Sequence, residues 1–387
     1  MEVFMKKGLF YLFLMVLLAI VPTVLMAQEL SPIEQLGKAL FFDENLSVNG
    51  KMSCASCHAP ETGFTGPDSL INAGPAVYNG TIHTRAGNRK PPTAAYGGES
   101  PVLYYDEADE AWVGGMFWDG RATGWVLGDP LAEQAMGPFL NPVEQAAPNM
   151  LLIVLKVAIS DYAGLFEEVW GPGTLDFKYV KQNTYDVYVM IAQSIAAYER
   201  SEEVNPFTSK FDYYLQGQVE LTAQEALGLS LFNAEDKGNC AACHPSSGDK
   251  PLFTDFTYDN LGVPKNPENP FYSQPKKINP DGEDWVDLGL GGFLGNSDQN
   301  GKQKVPTLRN VDKRPEEGFV KAYAHNGFFK SLEEIVHFYN TRDVEAWPDP
   351  EVEVHVNTDE LGDLGLTAEE EAAIVAFLRT LSDGYTP

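Results

Sequence analysis

Two copies of Cys-x-x-Cys-His stand out: Cys54-Ala55-Ser56-Cys57-His58 and, 186 residues later, Cys240-Ala241-Ala242-Cys243-His244. Two thiols at this spacing can form thioether bonds to the vinyl groups of a porphyrin while the adjoining imidazole ligates its iron. That is the attachment pattern of haem c. A zinc knuckle or a redox dithiol uses similar spacings. Both fit poorly, because a His abuts the second Cys each time and the two pairs use all four cysteines. The sequence therefore predicts two covalently bound haem c groups, on Cys54, Cys57 and His58 and on Cys240, Cys243 and His244.

The elements around the motifs are duplicated too. Leu36-Gly37-Lys38-Ala39-Leu40-Phe41 precedes the first motif and Leu227-Gly228-Leu229-Ser230-Leu231-Phe232 the second. Each follows a helix-starting capping box, Ser31-x-x-Glu34 and Thr222-x-x-Glu225, in which hydroxyl and carboxylate satisfy free N–H groups. A similar helix closes each repeat, through Ile195-Ala196-Ala197-Tyr198-Glu199-Arg200 and through Ile374-Val375-Ala376-Phe377-Leu378-Arg379. Between these helices, residues 59–110 and 245–304 are rich in Gly, Pro, Asn and Asp, which predicts long ordered loops. Little of the chain alternates with period two, so few strands are expected. The predicted fold is mostly α: two cytochrome c-like helical domains with long ordered loops, one haem c in each, at 28–208 and 209–387.

The first 27 residues read as a signal peptide, with Lys6 and Lys7, an apolar run from Leu9 to Met26, and the small Ala27 for cleavage. The alternative is a retained anchor, since the run is nearly long enough to span a bilayer. Export to the periplasm suits haem c, which bacteria attach outside the cytoplasm. The chain of 387 residues carries a net charge of −28. That argues against nucleic acid as a partner, and against a membrane except through an uncleaved leader. A docking partner with a basic face fits the charge, although acidity alone also serves solubility.

An iron with one His needs a sixth ligand or an open site, and that choice separates electron transfer from catalysis. The last methionine is Met190, so the second half has none to offer. Here a resemblance enters. Val305-Pro306-Thr307-Leu308-Arg309-Asn310-Val311, Ala322-Tyr323-Ala324-His325-Asn326-Gly327, and Ser331-Leu332-Glu333-Glu334 through Tyr339-Asn340 resemble the bacterial di-haem cytochrome c peroxidase and MauG superfamily. So do Phe117-Trp118-Asp119-Gly120-Arg121-Ala122 and the run from Glu133-Gln134 through Pro138 to Val143-Glu144.

By that resemblance the first haem is the reaction centre, with Gln134, Pro138 and Glu144 on its distal side. Glu144 would carry the proton that peroxide cleavage requires. Trp118 matches a tryptophan lying between the haems. Where the peroxidase branch has an axial Met, this chain has Tyr339, the MauG-like variant. Residue types alone read Tyr339 and Trp118 as core aromatics and Glu144 as a loop acid. His337 is the rival ligand, two residues away on another helix face. His83 matches, one residue short, a loop His that caps the first iron in resting peroxidases; its other reading is a polar loop residue. Lys90 stands where the family has an Asn that contributes to a calcium site, which puts calcium in doubt. His325 is expected at a haem or domain interface and His355 at the surface.

The resemblance implies a periplasmic oxidoreductase that reacts with hydrogen peroxide at the N-terminal haem and oxidises a partner protein through high-valent haems, as MauG does. One alternative is a cytochrome c peroxidase drawing electrons from a small cytochrome c or a cupredoxin. Another is a non-catalytic di-haem electron carrier.

Overall fold

The computed structural model describes residues 29–387, so the leader expected at 1–27 lies outside the described residues. No described helix is long and apolar enough to cross a membrane. The chain is largely helical, and its sheets among the described residues are two short antiparallel pairs, Tyr104–Asp106 with Ala111–Val113 and Tyr258–Asp259 with Gln303–Lys304.

The expected capping boxes form. The Glu34 carboxylate accepts from the Ser31 N–H at 2.7 Å, Glu225 from Thr222 at 2.7 Å and Glu370 from Thr367 at 2.9 Å. The helices they start, or their partners, then cross in two like pairs: Pro32–Phe42 against Thr184–Glu199, and Ala223–Asn233 against Ala368–Arg379. Each crossing turns on one glycine of the duplicated segment. A methyl group on Gly37 would collide with the Ser194 carbonyl and lie 2.8 Å from Tyr198 Cβ; one on Gly228 would collide with the Ala373 carbonyl and lie 2.8 Å from Phe377 Cβ. The repeat is thus a repeat of packing as well as of letters.

Each pair has its own core. The first gathers Leu36, Leu40, Phe41, Ile191 and Ile195. The second is aromatic: Phe377 meets Phe232 and Phe211 edge to face at centroid distances of 5.1 and 5.3 Å. Loops from both halves interlock between them. Asp383, near the C-terminus, accepts from the Tyr96 hydroxyl at 2.8 Å and the Thr208 N–H at 2.9 Å, and the buried Lys321 ammonium donates to the Thr62 carbonyl at 2.9 Å. Arg309 is fully buried, paired with Asp212 at 2.8 Å and stacked over Phe207. Breaking such a pair leaves a charge without water or partner.

The glycine crossings can be tested directly. Gly37→Ala and Gly228→Ala should each cost about 1–3 kcal/mol, the usual range for overpacking. Gly164→Ala, on the Ala163–Trp170 helix with open space around it, should cost nothing. Thermal unfolding of the haem-loaded protein measures all three; equal melting temperatures would contradict the shared crossing.

Candidate functional site

Each Cys-x-x-Cys-His forms a single 3-10 turn, Cys54–Ser56 and Cys240–Ala242, that ends beside its His. His58 Nδ1 lies 3.2 Å from the Phe64 carbonyl and His244 Nδ1 lies 2.8 Å from that of Phe253. A carbonyl can only accept, so Nδ1 carries the proton and Nε2 keeps its lone pair for a metal. Burial holds both imidazoles below the usual His range, which keeps them neutral as ligands. Phe64 and Phe253 adopt left-handed backbone, φ 58° and 54°, to aim those carbonyls. A bulky side chain there is strained and persists only where its surroundings insist. Thr93 and Thr307 help to insist, donating to the carbonyls of Gly63 at 2.8 Å and Leu252 at 2.6 Å, one residue before each Phe. Sequence reasoning gave these four residues no role of their own. The signal available was a second repeat, Phe-Thr after each motif and Lys-x-Pro-Thr further on.

The thiols argue in the same direction. Burial pushes Cys57 and Cys240 up to about 12 and raises Cys54 and Cys243 as well. A reactive redox dithiol needs the opposite shift. Cys240, Cys243 and His244 line a mostly apolar cavity walled by Val305, Leu332, Ile335 and Ile374. Neutral imidazoles with a free Nε2, paired protonated thiols and an apolar cavity fit a haem.

Tyr339 reaches the same cavity from the Leu332–Thr341 helix. Its hydroxyl has no hydrogen-bond partner among the described residues. Burial raises the phenol above its ordinary value, with Cys240 and Cys243 adding to the effect. It would therefore ionise only against a cation such as iron. His337 points elsewhere, held by Glu371 at 3.0 Å and Glu345 at 3.3 Å near the surface.

At the first motif, Gln134 and Pro138 lie one turn apart on the Pro130–Leu140 helix, so they share a face. Glu144 follows in the next loop. Burial raises its carboxyl, against the Arg121 charge and a 2.7 Å bond from Asn141, and it lies close enough to Cys54 and Cys57 to raise both thiols. His83 is exposed, two residues beyond Thr81, whose N–H donates to the Glu144 carbonyl at 2.8 Å.

Trp118 lines the cavity of the second motif. Its indole donates to the Lys90 carbonyl at 2.9 Å, and its own carbonyl accepts from the Lys304 N–H at 2.8 Å. Its ring meets His325 edge-on at 6.5 Å. His325 is buried on the cavity wall, 3.8 Å from Glu351 and 4.0 Å from Asp287. The Lys90 ammonium is buried, donates to the Pro91 carbonyl at 3.1 Å, and is lowered to about 8 by desolvation. His355 is exposed.

Glu199 is a further acid that the sequence did not single out. It ends the Thr184–Glu199 helix close to Cys54, and its Oε2 is buried without a partner. Burial raises it from 4.5 to about 8. Between those values the unfolded chain is ionised while the folded one keeps the proton, so stability falls as pH rises. Glu199→Gln should remove that slope between pH 4.5 and 8 and stabilise the protein at pH 8 by on the order of a few kcal/mol. Denaturant midpoints across this range measure it; parallel pH profiles for the two proteins would contradict the assignment.

Comparison with known proteins agrees with the duplicated geometry. The family model for di-haem cytochrome c peroxidase matches residues 31–220. The methylamine utilization protein MauG of Paracoccus denitrificans is 35% identical over 368 residues, covering 90% of this chain and 88% of the relative. The cytochrome c551 peroxidase of Nitrosomonas europaea is 28% identical over 365 residues, covering 93% and 83%. Among solved structures, the dihaem peroxidase BthA of Burkholderia thailandensis superimposes with a TM-score of 0.74 at 30% identity, covering 92% of this chain and 90% of that one. The chain belongs to the di-haem cytochrome c peroxidase and MauG family and is a peroxide-dependent oxidoreductase.

Proposed function

We propose that this chain is an exported di-haem c enzyme of two cytochrome c-like domains, 28–208 and 209–387, that oxidises a partner protein in the manner of MauG. Its N-terminal site, on Cys54, Cys57 and His58, takes hydrogen peroxide. At its C-terminal site, Cys240, Cys243 and His244 would hold the second haem, and Tyr339 would supply a further ligand to its iron. The observation that carries the reading is the Tyr339 hydroxyl, unpartnered in the second cavity while His337 is tied to two carboxylates. A phenolate donor favours ferric iron and lowers its potential, because axial-ligand identity is a main lever on that quantity. A second site that resists reduction suits an enzyme that starts fully ferric and draws electrons from its substrate.

When bound, the first haem supplies the iron at which peroxide is reduced by two electrons. The chain's own residues do the rest. Glu144 keeps Oε1 on Asn141 and has Oε2 free to pass a proton to the departing peroxide oxygen. Pro138 contributes no N–H to its helix, which leaves the Gln134 carbonyl without its intrahelical donor. Trp118, clamped between Lys90 and Lys304, bridges the two sites. Lys90 places an ammonium where the resemblance expects a calcium-binding Asn, which weighs against calcium. With His83 exposed, a haem held at the first motif would be left accessible to peroxide.

The cytochrome c peroxidase reading is the second one, favoured by the similarity to the Nitrosomonas europaea enzyme over most of both chains. Its electrons would come from a small cytochrome c or a cupredoxin. The carrier reading is set aside, since this family consists of peroxide-dependent enzymes.

One equivalent of peroxide added to the fully ferric protein, with no reductant, separates the two. Rapid consumption leaving a long-lived altered spectrum supports the MauG-like reading. Reaction only after one-electron reduction, with turnover of a small cytochrome or copper protein, supports the peroxidase. In either case Glu144→Gln should slow peroxide consumption ~10²–10⁴-fold, the usual worth of a positioned acid–base group. Both haem potentials should stay near their native values; an unaltered rate would remove Glu144 from the chemistry.

A further inference from the structure

Three segments, the 104–113 hairpin, the loop that follows it and the Gly289–Leu294 helix, meet at the surface around Trp125. Tyr104 and Tyr105 flank it on opposite faces of the hairpin's first strand, 45% and 38% exposed. Trp125 and Val126 lie on the following loop, at 57% and 75%. Phe293, 37% exposed, packs on Trp125 with ring centroids 6.4 Å apart, and the Trp125 indole donates to the Leu103 carbonyl at 2.7 Å. Contiguous aromatic exposure with a polar rim is the usual signature of a protein-binding surface.

The patch is held rigid. Glu133 accepts from the N–H groups of Gly124, Val126 and Leu127 at 2.7, 2.8 and 2.8 Å. Glu133 adjoins Gln134, so the loop is fastened to the helix that carries the candidate peroxide-side residues. Such preorganisation lowers the entropy lost on binding. The rim is acidic: the hairpin turn exposes Glu107, Asp109 and Glu110. Beneath the patch the aromatic packing continues inward. Trp112 faces Tyr105 across the hairpin at 5.6 Å and packs against the buried cluster of Leu103, Tyr258 and Leu290. Tyr258 pairs with Lys304, whose N–H is bonded to Trp118.

We propose that this patch docks a redox protein with a basic rim, and that electrons from it enter toward Trp118 through Trp112 and Tyr258. A second copy of this chain is the wrong occupant, because a two-fold contact would set one acidic turn against another in a chain of net charge −28. Electron entry rests on the peroxide-dependent reading above; docking does not. Each peroxide takes two electrons and two protons to leave as two waters. Two one-electron donors are therefore oxidised at the patch in succession for every peroxide consumed.

The test uses the haem-loaded protein and a small, lysine-rich cytochrome c as the probe. Calorimetry with the ferric probe measures binding, and peroxide turnover is followed with the ferrous probe and, separately, with a small organic dye that needs no docking site. The combined Glu107→Lys and Glu110→Lys change should weaken probe binding at least about tenfold at low salt, and added salt should erase the difference. Trp112→Leu should leave binding intact but slow probe oxidation about tenfold or more, with dye turnover unchanged. Binding that is indifferent to salt and to the charge reversals would overturn the proposal. So would light scattering that shows a dimer lost on Trp125→Ser, which would make the patch a self-interface. If native protein binds the probe at the patch yet turns over neither donor, the catalytic reading fails and the docking surface stands.

Discussion

Both halves of the molecule depend on one hydrogen bond each, from an imidazole Nδ1 to a main-chain carbonyl. His58 has Phe64 and His244 has Phe253. The bond fixes the tautomer and turns Nε2 outward, and so decides whether the adjoining thiols can share a ligand with the ring. Holding that carbonyl in place requires a left-handed phenylalanine, a threonine that braces the preceding carbonyl, and a loop that returns to the motif from far along the chain. The helix pairs beneath these loops, locked at Gly37 and Gly228, supply the rigid floor from which they rise.

On that common frame the two halves differ where chemistry requires it. The second presents a buried phenol, Tyr339, to an apolar cavity. The first gathers two acids near its thiols, the half-buried Glu144 and the buried Glu199. Burial makes all three groups reluctant to ionise, with different consequences. A neutral acid can give up a proton, whereas a neutral phenol waits for a cation. Trp118 lines the second cavity, its main chain and indole each bonded to a lysine that precedes a Pro-Thr step, so the same repeat that builds the sites also holds this ring.

Much of this was legible in the sequence because it repeats. The Cys-x-x-Cys-His motifs, the capping boxes and the Leu-Gly segments are local patterns, and local patterns survive as letters. The Phe64 and Phe253 carbonyls were not legible, since a main-chain acceptor has no letter of its own. Glu199 was hidden by its place in a helix-closing run, where a charged residue near the end reads as solvated; only packing shows it desolvated. His83 was legible as a residue but not as a position, and it stands in solvent. The surface around Trp125 arises from three segments far apart in the chain, and no window of sequence contains it.

The central claim is that the two sites are unequal, the first open and the second closed by Tyr339. Electron paramagnetic resonance of the resting ferric protein, beside Tyr339→Phe, tests it most directly. One high-spin and one low-spin signal are expected, with only the low-spin signal changed by the substitution. Two low-spin signals in the native protein, or a low-spin signal indifferent to Tyr339→Phe, would contradict the account.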